Sequence, residues 1–168
     1  MLSPKMQEAL NSQINAEYYS SYLYLSMAAF CERIDLKGFG HWFRVQSQEE
    51  MIHVMKFFDY ILDRGGEVTL TAIDAPPTTW TSALGVFEAA LAHERHITDR
   101  IGKLVELANA EGDHPTHALL QWFVNEQVEE EASVDTIVKQ LRMAGDAPVA
   151  LLMIDRELGQ RTLAPAAE

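Results

Sequence analysis

A glutamate and a histidine three residues apart, Glu50 and His53, form the most chemically suggestive pair in the sequence. On a helix, positions i and i+3 share a face, so one carboxylate and one imidazole can reach the same point. Such pairs also occur on solvated helix faces, and the pair alone is therefore weak evidence for a site. Its weight comes from three other stretches, each of which places a glutamate in an apolar helical stripe.

The glutamates that interrupt these stripes share one property: their neighbours at three- and four-residue spacing are mainly leucine, phenylalanine, isoleucine and valine. They are Glu17, Glu50, Glu94 and Glu130, and the fourth stripe also contains Gln127. A solvated face is the alternative, but glutamates flanked by buried apolar residues would be buried with them. An unpaired buried carboxylate costs several kcal/mol. No lysine or arginine occupies the stripes, so two divalent cations are the expected compensation for four carboxylates.

Oxygen-rich ligands with a single imidazole suit iron or manganese, with zinc as a competitor. Glu50 is the candidate bridge, with Glu17 and His53 on one ion and Glu94 and Glu130 on the other. The neutral Gln127 would orient a water molecule or bind weakly. Hard anionic ligands favour Fe(III), so oxidation of Fe(II) by dioxygen is the expected chemistry.

Four long helices and a short fifth one must position these residues. The periodicity predicts them at about 4–33, 39–64, 82–110, 116–144 and 148–160. Residues 67–81 lack a helical pattern and would reach about 50 Å when extended, more than the roughly 39 Å length of the second helix. This segment can therefore travel the length of the bundle and make the second and third helices parallel. The prediction is an all-α single domain over 1–168, with a four-helix bundle at about 4–144 and a tail at 161–168 that is frayed from Ala164 onward.

Composition narrows the possible partners. The formal net charge of −12 disfavours nucleic acid and favours cations. Cys31 is the only cysteine, so an intrachain disulfide and a thiolate cluster are excluded. The N-terminus lacks a signal-peptide pattern, and no stretch of about 20 apolar residues could span a bilayer. These features predict a cytoplasmic protein without a membrane partner.

The predicted arrangement has four helices with a long second crossover and a fifth helix. It carries a characteristic set of residues: Glu17, Tyr24, Glu50-x-x-His53, Glu94 and Gln127-x-x-Glu130. With these features the chain resembles the bacterial non-haem ferritins over nearly its whole length. The resemblance implies a ferritin-like bundle, a ferroxidase centre within each subunit, and storage of ferric oxide inside a homo-oligomeric shell of twenty-four subunits. The family's paired-iron ligands carry over to Glu17, Glu50, His53, Glu94 and Glu130, with Gln127 beside the second iron. Tyr24 resembles a tyrosine that can supply an electron; a stripe aromatic bonded to a ligand is the alternative.

The resemblance also implies a third iron site built from Glu49, Glu126 and Glu129, for which an acidic inner-surface patch is the alternative. No haem is expected. Ile52 stands where haem-containing relatives place a methionine ligand, and the fourth helix lacks a second Glu-x-x-His.

Other functions stay open at this point. A non-storage di-metal oxidase or peroxidase of rubrerythrin type could use the same centre, although the chain lacks the Cys-x-x-Cys pairs of the usual electron-transfer domain. A helical interaction protein whose glutamates bind nothing is a further alternative. A mini-ferritin that protects DNA fits less well, because such proteins lack the fifth helix and place the metal site between subunits.

Overall fold

The computed structural model describes residues 1–163, and all regular structure in this part of the chain is helical. The helices are α1 (Pro4–Arg33), α2 (Lys37–Asp63), α3 (Ala83–Glu111), α4 (His114–Ala144) and α5 (Pro148–Leu158). The predicted all-α architecture is confirmed, although α2 and α4 begin slightly earlier than expected and α5 ends before Gln160. The predicted frayed tail, 164–168, lies outside the described residues.

Side-chain caps define where two of the long helices begin. Ser3 Oγ accepts a hydrogen bond from the Met6 N–H at 3.0 Å, and a proline follows at the first helical position. Ser82 Oγ accepts from the Gly85 N–H at 3.0 Å in the same way. Such caps satisfy backbone donors that have no partner within the helix. Both starts agree with the predicted boundaries.

The segment between α2 and α3 runs along α1. Its hydrogen bonds join Glu67 and Thr69 to Asn11, Thr71 and Ala72 to Asn15, Pro77 to Ser26, and Thr78 to Arg33. These partners extend from the first third of α1 to its last residue. The segment therefore crosses most of the bundle length, and α2 and α3 run parallel, as predicted.

The fifth helix crosses the start of α2 at very short range. A Cβ atom at Gly38 would lie 1.7 Å from the carbonyl oxygen of Asp155, so only glycine permits this crossing. The Asp155 carboxylate accepts the Phe39 N–H at 3.0 Å. Ile154 and Leu158 pack on the bundle, whereas three other apolar side chains of α5 remain exposed: Val149 by 72 %, Leu152 by 55 % and Met153 by 68 %.

Two apolar clusters fill the bundle, one at each end. The cluster beneath α5 includes Phe43 and Phe87, whose rings stack at 4.6 Å between centroids. The other includes Phe57 and Phe123, stacked at 4.0 Å. A layer of buried polar side chains separates the clusters. Within the described residues, no helix has the length and apolar character needed to cross a membrane.

Candidate metal centre

The polar layer contains all six side chains predicted to form the di-metal centre. Their exposed fractions are 1 % for Glu17, 2 % for Glu50, 3 % for His53, 1 % for Glu94, 3 % for Gln127 and 6 % for Glu130. Each sits near mid-helix, where apolar neighbours above and below belong to the two clusters. A solvated helix face, the alternative weighed from the sequence, does not describe these residues.

Glu17, Glu50 and His53 converge most closely. Each offers one ligand atom, and these atoms all lie within 4.8 Å of one another. His53 Nδ1 is 3.2 Å from Glu50 Oε2 and 4.0 Å from Glu17 Oε2. Among residues 1–163, no hydrogen-bond donor reaches the buried Glu17 Oε2 when the neighbouring carboxyl groups are ionised. An unsatisfied buried carboxylate oxygen is costly, and it points here to a position that a cation would fill.

Glu94 lies in the same buried layer but outside this three-residue group. Its Oε1 accepts a hydrogen bond from the Tyr24 hydroxyl, and its Oε2 accepts from Gln127 Nε2 at 3.1 Å. Gln127 Nε2 also lies 3.3 Å from the Glu94 carbonyl oxygen. Tyr24 and Gln127 therefore hold Glu94 from both sides and fix its carboxylate plane.

Glu130 is linked to the three-residue group through Gln46. Gln46 Nε2 donates to Glu130 Oε2 at 2.7 Å and to Glu50 Oε1 at 3.3 Å. One amide thus connects the carboxylates on α2 and α4, leaving the other Glu50 oxygen beside His53. Glu50 occupies the middle of the layer, between Glu130 and the pair formed by Glu17 and His53.

Burial perturbs every carboxyl group of the layer. Desolvation first, and then the charge of Glu50, raises the pKa of Glu17 and of Glu94 from 4.5 to about 8. Desolvation followed by the charge of Glu94 raises the pKa of Glu130 to about 8. The pKa of Glu50 is raised well above its usual value by burial and then by Glu130. Without cations these groups hold protons near neutrality, and a cation must displace them to bind.

Tyr24 is fully buried and serves as a hydrogen-bond donor to the layer. Its ring stacks on Phe43 at 5.9 Å, and burial followed by the charge of Glu94 raises the pKa of its hydroxyl well above 10. The hydroxyl therefore stays protonated and bonded to Glu94. This is the packing role weighed as an alternative from the sequence, while its role as an electron donor stays a prediction.

The three residues predicted for a further cation lie beside the centre, on α2 and α4. Glu49 and Glu126 are half-buried and Glu129 is exposed. Burial raises the pKa of Glu126, and the charges of Glu129 and Glu49 add to that effect. Glu49 is ion-paired with Arg161, whose guanidinium lies 4.2 Å from the centroid of the Trp42 ring. Arg161 belongs to the predicted tail, and nothing in its sequence context indicates this pair.

Sequence reasoning also missed two glutamines that contact the centre. Gln13 donates to Glu17 Oε1 at 2.7 Å, and Gln46 contacts Glu50 as described above. Each stands four residues before its glutamate, the spacing at which side chains share a helix face. That repeated Gln-x-x-x-Glu spacing is visible in the sequence and could have identified both.

Known proteins are similar to this chain over nearly its whole length. The Ferritin family model, described as a ferritin-like domain, matches residues 7–144. A bacterial non-heme ferritin of Bacteroides fragilis (strain 638R) is 48 % identical over 161 residues, covering 96 % of this chain and 100 % of that protein. A bacterial non-heme ferritin of Staphylococcus saprophyticus is 41 % identical over 162 residues, covering 96 % and 97 %.

Solved structures agree with the sequence comparison. A novel open-pore ferritin from the hyperthermophilic archaeon Archaeoglobus fulgidus superimposes with a TM-score of 0.96 at 54 % identity, covering 96 % of this chain and 100 % of that one. An engineered closed form of the A. fulgidus ferritin gives 0.97 at 53 % identity, covering 98 % and 100 %. The fold, the buried polar layer and these matches together lead to one conclusion: this chain belongs to the ferritin-like family.

Proposed function

We propose that the protein oxidises Fe(II) with dioxygen and stores the resulting ferric oxide. One observation carries the proposal: Glu17, Glu50 and His53 converge in a buried layer, with one carboxylate oxygen left without a partner. Iron is the substrate and cargo here. The ferritins to which the chain is similar support this choice of metal over zinc or manganese.

Two Fe(II) ions would share the layer, with Glu50 between them. Glu17 and His53 would complete the ligands of one ion, and Glu94 and Glu130 those of the other, with Gln127 beside the second. Binding would displace the protons that the raised carboxyl pKa values retain. Each of the two ions would then give one electron to dioxygen, so that one O2 is reduced to hydrogen peroxide and the two Fe(III) ions hydrolyse to ferric oxyhydroxide with release of protons. The hydrogen bonds from Tyr24, Gln46 and Gln127 keep the carboxylates oriented while the charge of the metal increases.

Glu49, Glu126 and Glu129 would hold a third cation next to this centre. The three side chains lie close enough that, after burial, the charges of Glu129 and Glu49 raise the pKa of Glu126. Arg161 already neutralises Glu49, so a cation at this position competes with the guanidinium.

Storage requires self-assembly, which we propose to be a shell of twenty-four subunits. Exposed large apolar side chains that share one helix face support subunit contacts, since soluble monomers rarely expose large contiguous apolar patches. They occur on α1 and the crossover, with Tyr22 50 %, Leu25 47 % and Leu70 59 % exposed, and on the outer face of α5. We propose that the protein is located in the cytoplasm, where reducing conditions keep iron as Fe(II). We also propose that it binds no haem.

Stopped-flow oxidation of Fe(II) tests the proposed ferroxidase activity, and size-exclusion chromatography tests the proposed shell. We expect rapid oxidation saturating near two ions per subunit, in a particle of about 450 kDa for twenty-four chains of 18.9 kDa. Rapid oxidation in a species below about 100 kDa would reject the shell and favour a rubrerythrin-type oxidase. A particle that shows no saturable anaerobic binding of Fe(II) would reject the di-iron centre.

A further inference from the structure

Gln13 connects the buried layer to a charged residue outside it. Its side chain is 1 % exposed and sits one helical turn before Glu17. The amide nitrogen donates to Glu17 Oε1 at 2.7 Å, and the amide oxygen accepts from Arg100 Nε at 3.0 Å. The three side chains form one chain of hydrogen bonds from α3 through α1 to the centre.

Arg100 dictates which way the Gln13 amide points. A guanidinium has only donors, so it must face the amide oxygen and leave the NH₂ group facing Glu17. The guanidinium is itself anchored, because its Nη2 donates to the carbonyl oxygen of Ser12 at 3.0 Å and to the Ser12 hydroxyl at 3.1 Å. It lies in a surface cleft of about 540 Å³ whose lining also includes Lys103.

The orientation of the Gln13 amide makes the two carboxylate oxygens of Glu17 different. Oε1 is occupied by the Gln13 amide, while Oε2 has no partner and faces His53 Nδ1 at 4.0 Å. A reversed amide would bring its carbonyl oxygen against the carboxylate and push Glu17 away. Only one orientation of Gln13 therefore leaves a single Glu17 oxygen ready for a cation.

We propose that Gln13 and Arg100 are positioning residues that fix Glu17 as a ligand through one oxygen, and so set the affinity of the ion it shares with His53. This inference rests on the proposed di-metal centre. Groups that orient metal ligands in this way typically change affinity by about 10–100-fold when removed. The second ion, near Glu94 and Glu130, has no contact with Gln13 and keeps its affinity.

Anaerobic titration of the assembled protein with Co(II), followed by its visible absorption, tests the inference without turnover. Arg100→Gln is the main variant, because it removes the anchor from a partly exposed position. Lys103→Gln is the matched control, since it removes the same charge from the same cleft without touching Gln13. Gln13→Leu is a second variant, which removes the amide itself, and circular dichroism melting checks that each protein is folded.

We expect Arg100→Gln to weaken one of the two Co(II) sites by about 5-fold or more, and Gln13→Leu by about 10–100-fold. Lys103→Gln should alter both sites by less than about 2-fold. A wild-type protein that binds two Co(II) ions, together with an Arg100→Gln profile identical to that of Lys103→Gln, would overturn this inference alone. A wild-type protein that binds no Co(II) would overturn the proposed di-metal centre as well.

Discussion

Raising the pH of the metal-free protein through neutrality should destabilise it, because the buried glutamates must then ionise. The folded-state pKa of Glu17, Glu94 and Glu130 is raised from 4.5 to about 8. Between these values the unfolded chain has released protons that the folded chain still holds. The stability contributed by each group is thus complete below 4.5 and is lost as pH rises toward about 8.

The size of the effect follows from proton linkage. Each retained proton lowers the free energy of unfolding by about 1.4 kcal/mol per pH unit. From about pH 5.5 to pH 7.5 one carboxyl group therefore contributes a loss of about 2.7 kcal/mol. At about 2–4 °C per kcal/mol for a domain of this size, the melting temperature should fall by about 5–10 °C per group.

Glu17→Gln isolates one such contribution. The amide keeps the size of the side chain, cannot ionise, and places its nitrogen where Glu17 Oε2 has no bonded partner. Glu8→Gln, at an exposed position of the same helix, is the control. Calorimetry in the presence of a chelator should show a shallower pH dependence for Glu17→Gln than for the control.

Divalent cation added at pH 7.5 should reverse the loss in the wild-type protein, by about 2.7 kcal/mol at 100 times its dissociation constant. Identical pH dependences for wild type and Glu17→Gln, or a wild-type protein that gains stability across this range relative to the variant, would refute the reasoning.

Three further predictions concern separate parts of the molecule. Glu50→Ala should abolish rapid Fe(II) oxidation in stopped flow, because it removes the proposed bridge between two iron ions; wild-type rates would show that Glu50 is not the bridge. Arg161→Gln should tighten a third cation in anaerobic titrations by freeing Glu49, and an unchanged third affinity would count against that site. Gly38→Ala should cost about 1–3 kcal/mol and impair assembly, because its methyl group meets the α5 backbone carbonyl. Gly102→Ala is the matched control, since a Cβ there meets nothing within 4 Å, and native mass spectrometry that finds intact shells in both would contradict the role of Gly38.

The polar layer could be predicted from the sequence because it depends on local periodicity. Glu17, Glu50, Glu94 and Glu130 each replace an apolar residue in a stripe that helix geometry turns toward the core. The apolar residues around these glutamates cause their side chains to be buried, and burial raises the pKa of their carboxyl groups. The length of the segment between α2 and α3 likewise predicted that these two helices run parallel.

The contacts that the sequence did not reveal all depend on tertiary placement. Arg161 reaches Glu49 because α5 crosses the start of α2. The sequence after α5 contains no pattern that predicts this contact. Arg100 meets Gln13 across two helices that are far apart in the chain. The apolar side chains on the outer face of α5 have the spacing of a core-facing stripe, and periodicity alone does not reveal that they remain exposed.

Diffraction at the iron absorption edge from a crystal soaked anaerobically in Fe(II) would show whether the buried layer binds two iron ions. We expect two anomalous peaks inside the bundle, one beside Glu17 and His53, the other beside Glu94 and Glu130, with Glu50 between them. Peaks confined to the surface glutamates, with the buried layer left empty of iron, would contradict it.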